Sequence, residues 1–244
     1  MTRERTLERF LFPGEPRFEL PLRPGKVIAL GRNYTAHAAE SGHDTPEEPI
    51  LFCKSSSACI GDGQPIVVRA FYGRVEHEAE LAVVIGRRCK EAAEEEAGDY
   101  IAGYSILNDV TAREMQQADI AKGLPWYRSK SIDTFGPLGP VIALVDAIPE
   151  PVAVDIELRV NGEVRQRGNT ADMVFSVPAI IAAVSRLITL EPGDVVATGT
   201  PAGVGPIGPG DTVEITIPGI GTLRNPVVEE RRRRYGVARS QVEA

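Results

Sequence analysis

The 244 residues are 43% hydrophobic and 25% charged, the mix of a soluble globular chain long enough for one large core or two modest ones. A formal net charge of −7 speaks against a general nucleic-acid or anionic-membrane surface. Cys53, Cys59 and Cys89, odd in number and without a C-x-x-C pair, fit reduced thiols in the cytoplasm.

The 24 glycines and 19 prolines predict many turns and much β structure. Residues 1–25 mix charge with Pro13, Pro16, Pro21 and Pro24 and read as an arm or part of a small subdomain. The opening MTRERTLERF lacks a signal peptide's apolar core. Val27 to Leu30 is a short strand stopped by Gly31. The segment from Arg32 to Glu40 then predicts a helix ending at Ser41-Gly42, with His37 and Glu40 facing each other at i and i+3. The polar, proline-containing stretch from Ser41 to Pro49 reads as a lid or a surface loop. Ile50 to Lys54 and Pro65 to Val68 are short strands around the turn Gly61-Asp62-Gly63.

The stretch from Arg74 to Gly86 is the densest in chemistry. Leu81 to Ile85 is an apolar strand, and alternation puts the side chains of Glu78 and Glu80 on one side at its mouth. Two carboxylates side by side repel by roughly 4 kcal/mol at about 4 Å and an effective dielectric near ~20. Open water, a shared proton or a cation relieves that repulsion. His77 points to the opposite face and reads as a structural hydrogen bonder.

Lys90 to Asp99 predicts an exposed helix. Tyr104 to Leu107 is a strand that delivers Asn108-Asp109 to its end, where Asp109 is either a site carboxylate or the cap of a helix over 110–116. Residues 123–140 read as a long structured loop holding the single tryptophan, Trp126, and Lys130. Residues 154–165 form a hairpin with Asn161-Gly162 in a type I′ turn. Ser176 caps a helix that buries Ile180, Ile181, Val184, Leu187 and Ile188. The apolar run from Met173 to Ser185 is too short to span a bilayer. A strand over 195–198, the glycine-rich run TGTPAGVGPIGPG and a second hairpin over 213–224 follow. Residues 230–244 read as a solvated tail.

Glu78, Glu80 and Asp109 together offer three oxygen donors, a set suited to hard divalent ions. Zinc is disfavoured, because no Cys or His cluster has ligand spacing. His37 with Glu40 has the form of an oriented general base, or of an ordinary helix-face pair. Arg113, Gln116 and Lys130 are candidate partners for a substrate carboxylate or a developing enolate. The run at 198–210 lacks the Gly-Lys-Ser/Thr ending of a phosphate-binding loop; its amides with Thr198 and Thr200 either bind a carboxylate or form a connector.

From about residue 26 to 229 the chain resembles the fumarylacetoacetate hydrolase family. The matching segments include GRNYTAHAAE (31–40), EEPILFCKSSSA (47–58), HEAELAVVIG (77–86), GYSILNDVTAREMQ (103–116), KGLPWYRSKSIDTFGPLGP (122–140), VNGEVRQ (160–166) and LEPGDVVATGTPAGVG (190–205). It is similar in particular to the small single-module branch of acylpyruvate hydrolases, oxaloacetate decarboxylases and 2-hydroxyhepta-2,4-diene-1,7-dioate isomerases. The resemblance implies the family's mixed, β-rich β-roll with a few helices and a small N-terminal subdomain, a catalytic domain over 26–229 and a homodimer. It implies Mg²⁺ or Mn²⁺ on Glu78, Glu80 and Asp109, and a lid carrying His37 and Glu40 that activates water. Arg113, Gln116, Lys130 and Thr200 would hold a small 2-oxo acid. Glu76 departs from relatives that carry a histidine there. The leading expectation is carbon–carbon cleavage through a metal-stabilised enolate; isomerisation of a 2-hydroxy-dienoate is the alternative, and a catalytically silent oxo-acid binding protein is a third reading.

Overall fold

The computed structural model describes residues 20–230 apart from 41, 43 and 149–151. The expected arm up to residue 19, Ser41 as a helix stop, and the tail from residue 231 lie outside the described residues. The chain opens with β1 (Val27–Gly31), the short helix α1 (Thr35–Glu40) and β2 (Ile50–Lys54). β3 (Cys59–Ile60), β4 (Ile66–Val68), β5 (Val75–His77), β6 (Ala79–Ile85), β7 (Ile101–Asn108) and β8 (Thr111–Ala112) follow. Helices α2 (Arg113–Ile120) and α3 (Tyr127–Lys130) lead into β9 (Gly136–Leu144). The second half holds β10 (Asp155–Val160), β11 (Glu163–Asn169), helix α4 (Val177–Leu187) and β12 (Val195–Ala197). It ends with β13 (Gly205–Ile207), β14 (Thr212–Ile217) and β15 (Gly221–Glu229).

These strands form a seven-stranded sheet, β2-β1-β12-β6-β7-β9-β3, a five-stranded sheet, β11-β10-β14-β15-β4, and a three-stranded sheet, β13-β5-β8. Parallel pairs (β1 with β12, β15 with β4, β3 with β9) among antiparallel ones make the fold mixed and β-rich, as the sequence predicts. Every residue of β6 and β7 is buried, so the centre of the large sheet is covered on both sides. The two-residue alternation of a strand sorts the core. Leu81, Val83, Ile85, Ile28 and Leu30 join the main cluster, whereas Ala82, Val84, Val27 and Ala29 join a second cluster with Leu107, Val195 and Ala197. Burying a Leu, Ile or Val side chain contributes roughly 1.5–3 kcal/mol, so this centre carries a large share of the fold's stability.

The Asn161-Gly162 turn has φ of 54° and 83°, the positive values that a type I′ hairpin needs. Three expectations change. Lys90 to Asp99 is not an α-helix: a 3-10 segment covers Glu94–Tyr100, with Ala92 and Ala97 buried. Cys89 pairs with Leu190, and Glu91 and Ala92 donate to the Ser185 carbonyl and hydroxyl, so that backbone bonds the end of α4 rather than itself. Residues 123–140 are not all loop, since α3 and the start of β9 lie there. Gly136, Pro137, Gly139 and Pro140 argue against a strand locally, but tertiary pairing with β7 and β3 wins. Leu187 is 72% exposed, because Ile180, Ile181 and Val184 already fill the buried stripe of α4.

Candidate active site

β1 and β12 run parallel, β6 runs against β12, and β7 against β6. The ends of β1, β12 and β7 therefore meet the start of β6 at one edge of the large sheet. At Glu78 the chain steps from the three-stranded sheet into this one. That step is pinned by the Glu78 N–H donating to Asn108 Oδ1 at 3.0 Å and the Asp109 N–H donating to the Glu78 carbonyl at 2.8 Å. Helix α2 begins only at Arg113, with Ala112 at its cap, which frees Asp109 from a capping role. Carboxylate oxygens of Glu78, Glu80 and Asp109 lie within 4.8 Å of one another, and all three residues are buried.

Buried carboxylates this close need positive charge. Lys130 Nζ stands 2.7 Å from Glu78 Oε2 and 2.5 Å from Asp109 Oδ2. Lys54 Nζ donates to Asp109 Oδ1 at 2.6 Å and to the Lys130 carbonyl. Arg113 pairs with Glu78 through Nη2, with Glu76 Oε2 through Nε at 2.5 Å, and with Gln116 Oε1 through Nη1 at 2.5 Å. Burial would raise the Glu78 carboxyl, but Lys130 and Arg113 outweigh it and hold it well below its usual range. Glu80 goes the other way: burial, then the neighbouring charges of Asp109 and Glu78, push its carboxyl well up. Burial lowers the Lys54 ammonium against the pull of Asp109, while Asp109 and Glu78 overcome burial to raise Lys130.

Glu80 accepts one backbone hydrogen bond, from Gly199 N–H at 2.8 Å, and has no cationic side chain paired with it among the described residues. A cluster of three oxygen donors in which one buried carboxylate, Glu80, lacks a paired cation fits a divalent ion, and its all-oxygen chemistry suits Mg²⁺ or Mn²⁺. Glu78, Glu80 and Asp109 would hold it.

Glu78 and Glu80 open onto a cavity of about 420 Å³ that also reaches Arg113, Gln116, Lys130 and Thr200. Trp126 forms one wall, packed so closely on Gly31 that a side chain at residue 31 would come within 2.8 Å of the ring. Phe52 lies edge-on to Trp126, with Lys130 Nζ 5.1 Å from the Phe52 ring centre. Also lining the cavity, His37 Nδ1 is 3.4 Å from Glu40 Oε2, as the helical spacing predicts. Glu40 also accepts from the Gly203 N–H at 3.1 Å, which ties α1 to the glycine-rich run.

That run is shaped by Asn33, whose side chain donates to the Thr198 carbonyl at 2.7 Å and accepts from Phe175 N–H at 2.8 Å. Gly199 adopts φ +92°, and a Cβ there would come within 2.8 Å of Asn33 Cβ, so glycine is needed. All nine expected site residues thus gather around one cavity, save that Asp109 lies below its surface, behind Lys130. His77 stays outside, buried and 3.0 Å from Gln166 Oε1 through Nδ1, with burial lowering its imidazole first.

Sequence reasoning missed Lys54, Asn33 and Gln166. A lysine closing the apolar strand ILFCK was the one available signal for Lys54. For the two amides no local signal exists, because their partners come from distant segments.

Residues 26–228 match the family described as fumarylacetoacetate (FAA) hydrolase C-terminal, and the chain belongs to that family. Mitochondrial oxaloacetate tautomerase FAHD1 of Bos taurus is 42% identical over 198 residues, which cover 81% of this chain and 89% of that protein. The 5-carboxymethyl-2-hydroxymuconate delta-isomerase of Mycobacterium smegmatis has a similar structure, with TM-score 0.79 and 46% identity over 86% of this chain and 79% of that one. Maleylpyruvate hydrolase of Sphingobium sp. SYK-6, solved with manganese (II) and pyruvate, gives TM-score 0.75 and 39% identity over 87% of this chain and 74% of that one. The fold expectation holds, including the curled β-rich sheet. Among the described residues no helix is long and apolar enough to cross a membrane.

Proposed function

We propose that this protein is a divalent-metal-dependent enzyme that cleaves a carbon–carbon bond in short 2-oxo acids, by acylpyruvate hydrolysis or oxaloacetate-type decarboxylation. The observation that carries this reading is one cavity lined by Glu78 and Glu80, with Asp109 clustered just beneath them, and by cationic Arg113 and Lys130 and the His37–Glu40 pair. Mg²⁺ or Mn²⁺, when bound by those carboxylates, supplies Lewis-acid stabilisation for negative charge developing on the 2-oxo oxygen. The chain's own groups do the rest. Arg113 and Gln116 grip the acid end of the substrate, and Thr200 bonds it from the glycine-rich run. Lys130 offsets charge as the enolate forms. Glu40 orients His37, which takes a proton from the attacking water in hydrolysis; decarboxylation needs no nucleophile. Trp126 and Phe52 keep one wall dry, which strengthens each of these electrostatic contacts.

A second reading is tautomerisation or isomerisation, in which a proton leaves one carbon and returns at another. The activities for which the bovine and M. smegmatis relatives are named favour it. The same enolate and the same residues serve both reactions. A homodimer and a cytoplasmic location complete the reading; the free state of Cys53, Cys59 and Cys89 supports a reducing compartment.

The test is an Mg²⁺-dependent assay with acetylpyruvate, oxaloacetate and a 2-hydroxy-diene dicarboxylate, followed by pyruvate release and ultraviolet absorbance. Pyruvate from either of the first two, lost with EDTA, is the expected result. Absorbance change without pyruvate selects the second reading. No turnover of any of the three contradicts both.

A further inference from the structure

Gln166 is the one buried residue of β11, a strand whose other side chains are exposed or half-buried. At 1% exposure, its amide uses its full bonding capacity. Nε2 donates to Thr200 Oγ1 and to the Pro201 carbonyl, both at 2.8 Å. Oε1 faces the Ala79 N–H and His77 Nδ1, both at 3.0 Å. Two of these partners have fixed polarity, because a backbone N–H only donates and a carbonyl only accepts. They set the amide's orientation without ambiguity.

The other two partners must then follow. His77 carries its proton on Nδ1, and the Thr200 hydroxyl accepts from Gln166. A hydroxyl has one proton to give. With its oxygen accepting on the Gln166 side, Thr200 keeps that proton for the cavity it lines. The same amide holds the backbone at Ala79, between Glu78 and Glu80, so it also sets the spacing from this hydroxyl to the acidic cluster.

We propose that Gln166 is a positioning residue, which fixes the Thr200 hydroxyl as a hydrogen-bond donor toward an anionic oxygen of the bound 2-oxo acid. The inference rests on the reading that this cavity binds 2-oxo acids. A role limited to filling the core would leave ligand affinity indifferent to whether residue 166 can donate.

The experiment is calorimetric titration of oxalate, a small dianion of matching chemistry, into Mg²⁺-loaded protein. It compares wild type, Gln166→Met, Thr200→Val and the double variant, with Mg²⁺ titrated separately into each. Either single change should weaken oxalate binding about tenfold, the size of one hydrogen bond to a charged group, and the double change should also cost about tenfold, since the same bond is lost. Mg²⁺ affinity should stay within about twofold throughout. Losses that multiply, an unchanged oxalate affinity in Gln166→Met, or a fall in Mg²⁺ affinity alone would overturn the proposal. Should Gln166→Met not fold, Thr200→Ser and Thr200→Val decide: retained binding in Ser with loss in Val supports the donor role, and equal behaviour of the two overturns it. Wild-type protein that binds Mg²⁺ and ignores oxalate would instead remove the 2-oxo acid reading on which the inference stands.

Discussion

Glu80 and Glu40 each accept a hydrogen bond from a backbone N–H of the 199–203 run, yet their surroundings are opposite. Glu80 is 1% exposed in a strand buried on both faces, beside two other carboxylates. The Glu40 side chain is 43% exposed on a six-residue helix with one buried residue, Ala38. A helix that short has little stability of its own and depends on its tethers. The floor of the cavity is therefore held by the core, whereas the rim is held by a few local bonds and opens at lower cost. An ion site benefits from the first arrangement; a group that must meet successive substrates and products benefits from the second.

Removing a floor carboxylate is the hardest blow to this contrast. Glu80→Ala should lower metal-dependent turnover by about a thousandfold or more and abolish the Mg²⁺-induced rise in melting temperature, while the metal-free protein melts as wild type or higher because like-charge repulsion is relieved. Wild-type turnover in that variant would remove the proposed ion site. Lys54→Met comes next. It leaves Asp109 with Lys130 as its one remaining paired cation among the described residues and should destabilise the fold by about 3 kcal/mol in chemical denaturation. A loss below about 1 kcal/mol, as for a surface pair, would show that Lys54 is not needed for charge balance.

The rim should respond in activity rather than in stability. His37→Ala should slow acylpyruvate hydrolysis about a hundredfold with Mn²⁺ affinity unchanged. Equal loss of both would make His37 a ligand or a structural residue. Glu40→Gln is the mildest change, since the amide oxygen still accepts from Gly203 N–H. A fall of about fivefold in kcat with KM unchanged is expected, read from steady-state kinetics on acetylpyruvate.

What the sequence reveals follows the range of the forces involved. Alternation along a strand is local, so Glu78 and Glu80 could be placed on one side before any fold was known, and the Asn161-Gly162 turn was legible for the same reason. The pairing of His37 with Glu40 needed only helical spacing. Lys54 was not legible, because a lysine at a strand end is ordinarily solvated; Asp109, 55 residues away, makes its burial tolerable. Gln166 hides within an exposed hairpin strand for a similar reason. β9 was hidden by its glycines and prolines, whose local preferences are overridden by the partners on either side. The family resemblance supplied the roles, and the register of β1, β12, β6 and β7 supplies the physical reason those residues meet.

The most direct test of the ion site is a crystal of the protein soaked in Mn²⁺ and measured at the manganese absorption edge. One strong anomalous peak is expected within ligand distance of Glu78, Glu80 and Asp109, with Lys130 Nζ moved away from the Glu78 and Asp109 carboxylates that it bridges in the structure described above. A peak elsewhere, or none while Lys130 still joins Glu78 to Asp109, would contradict the ion site.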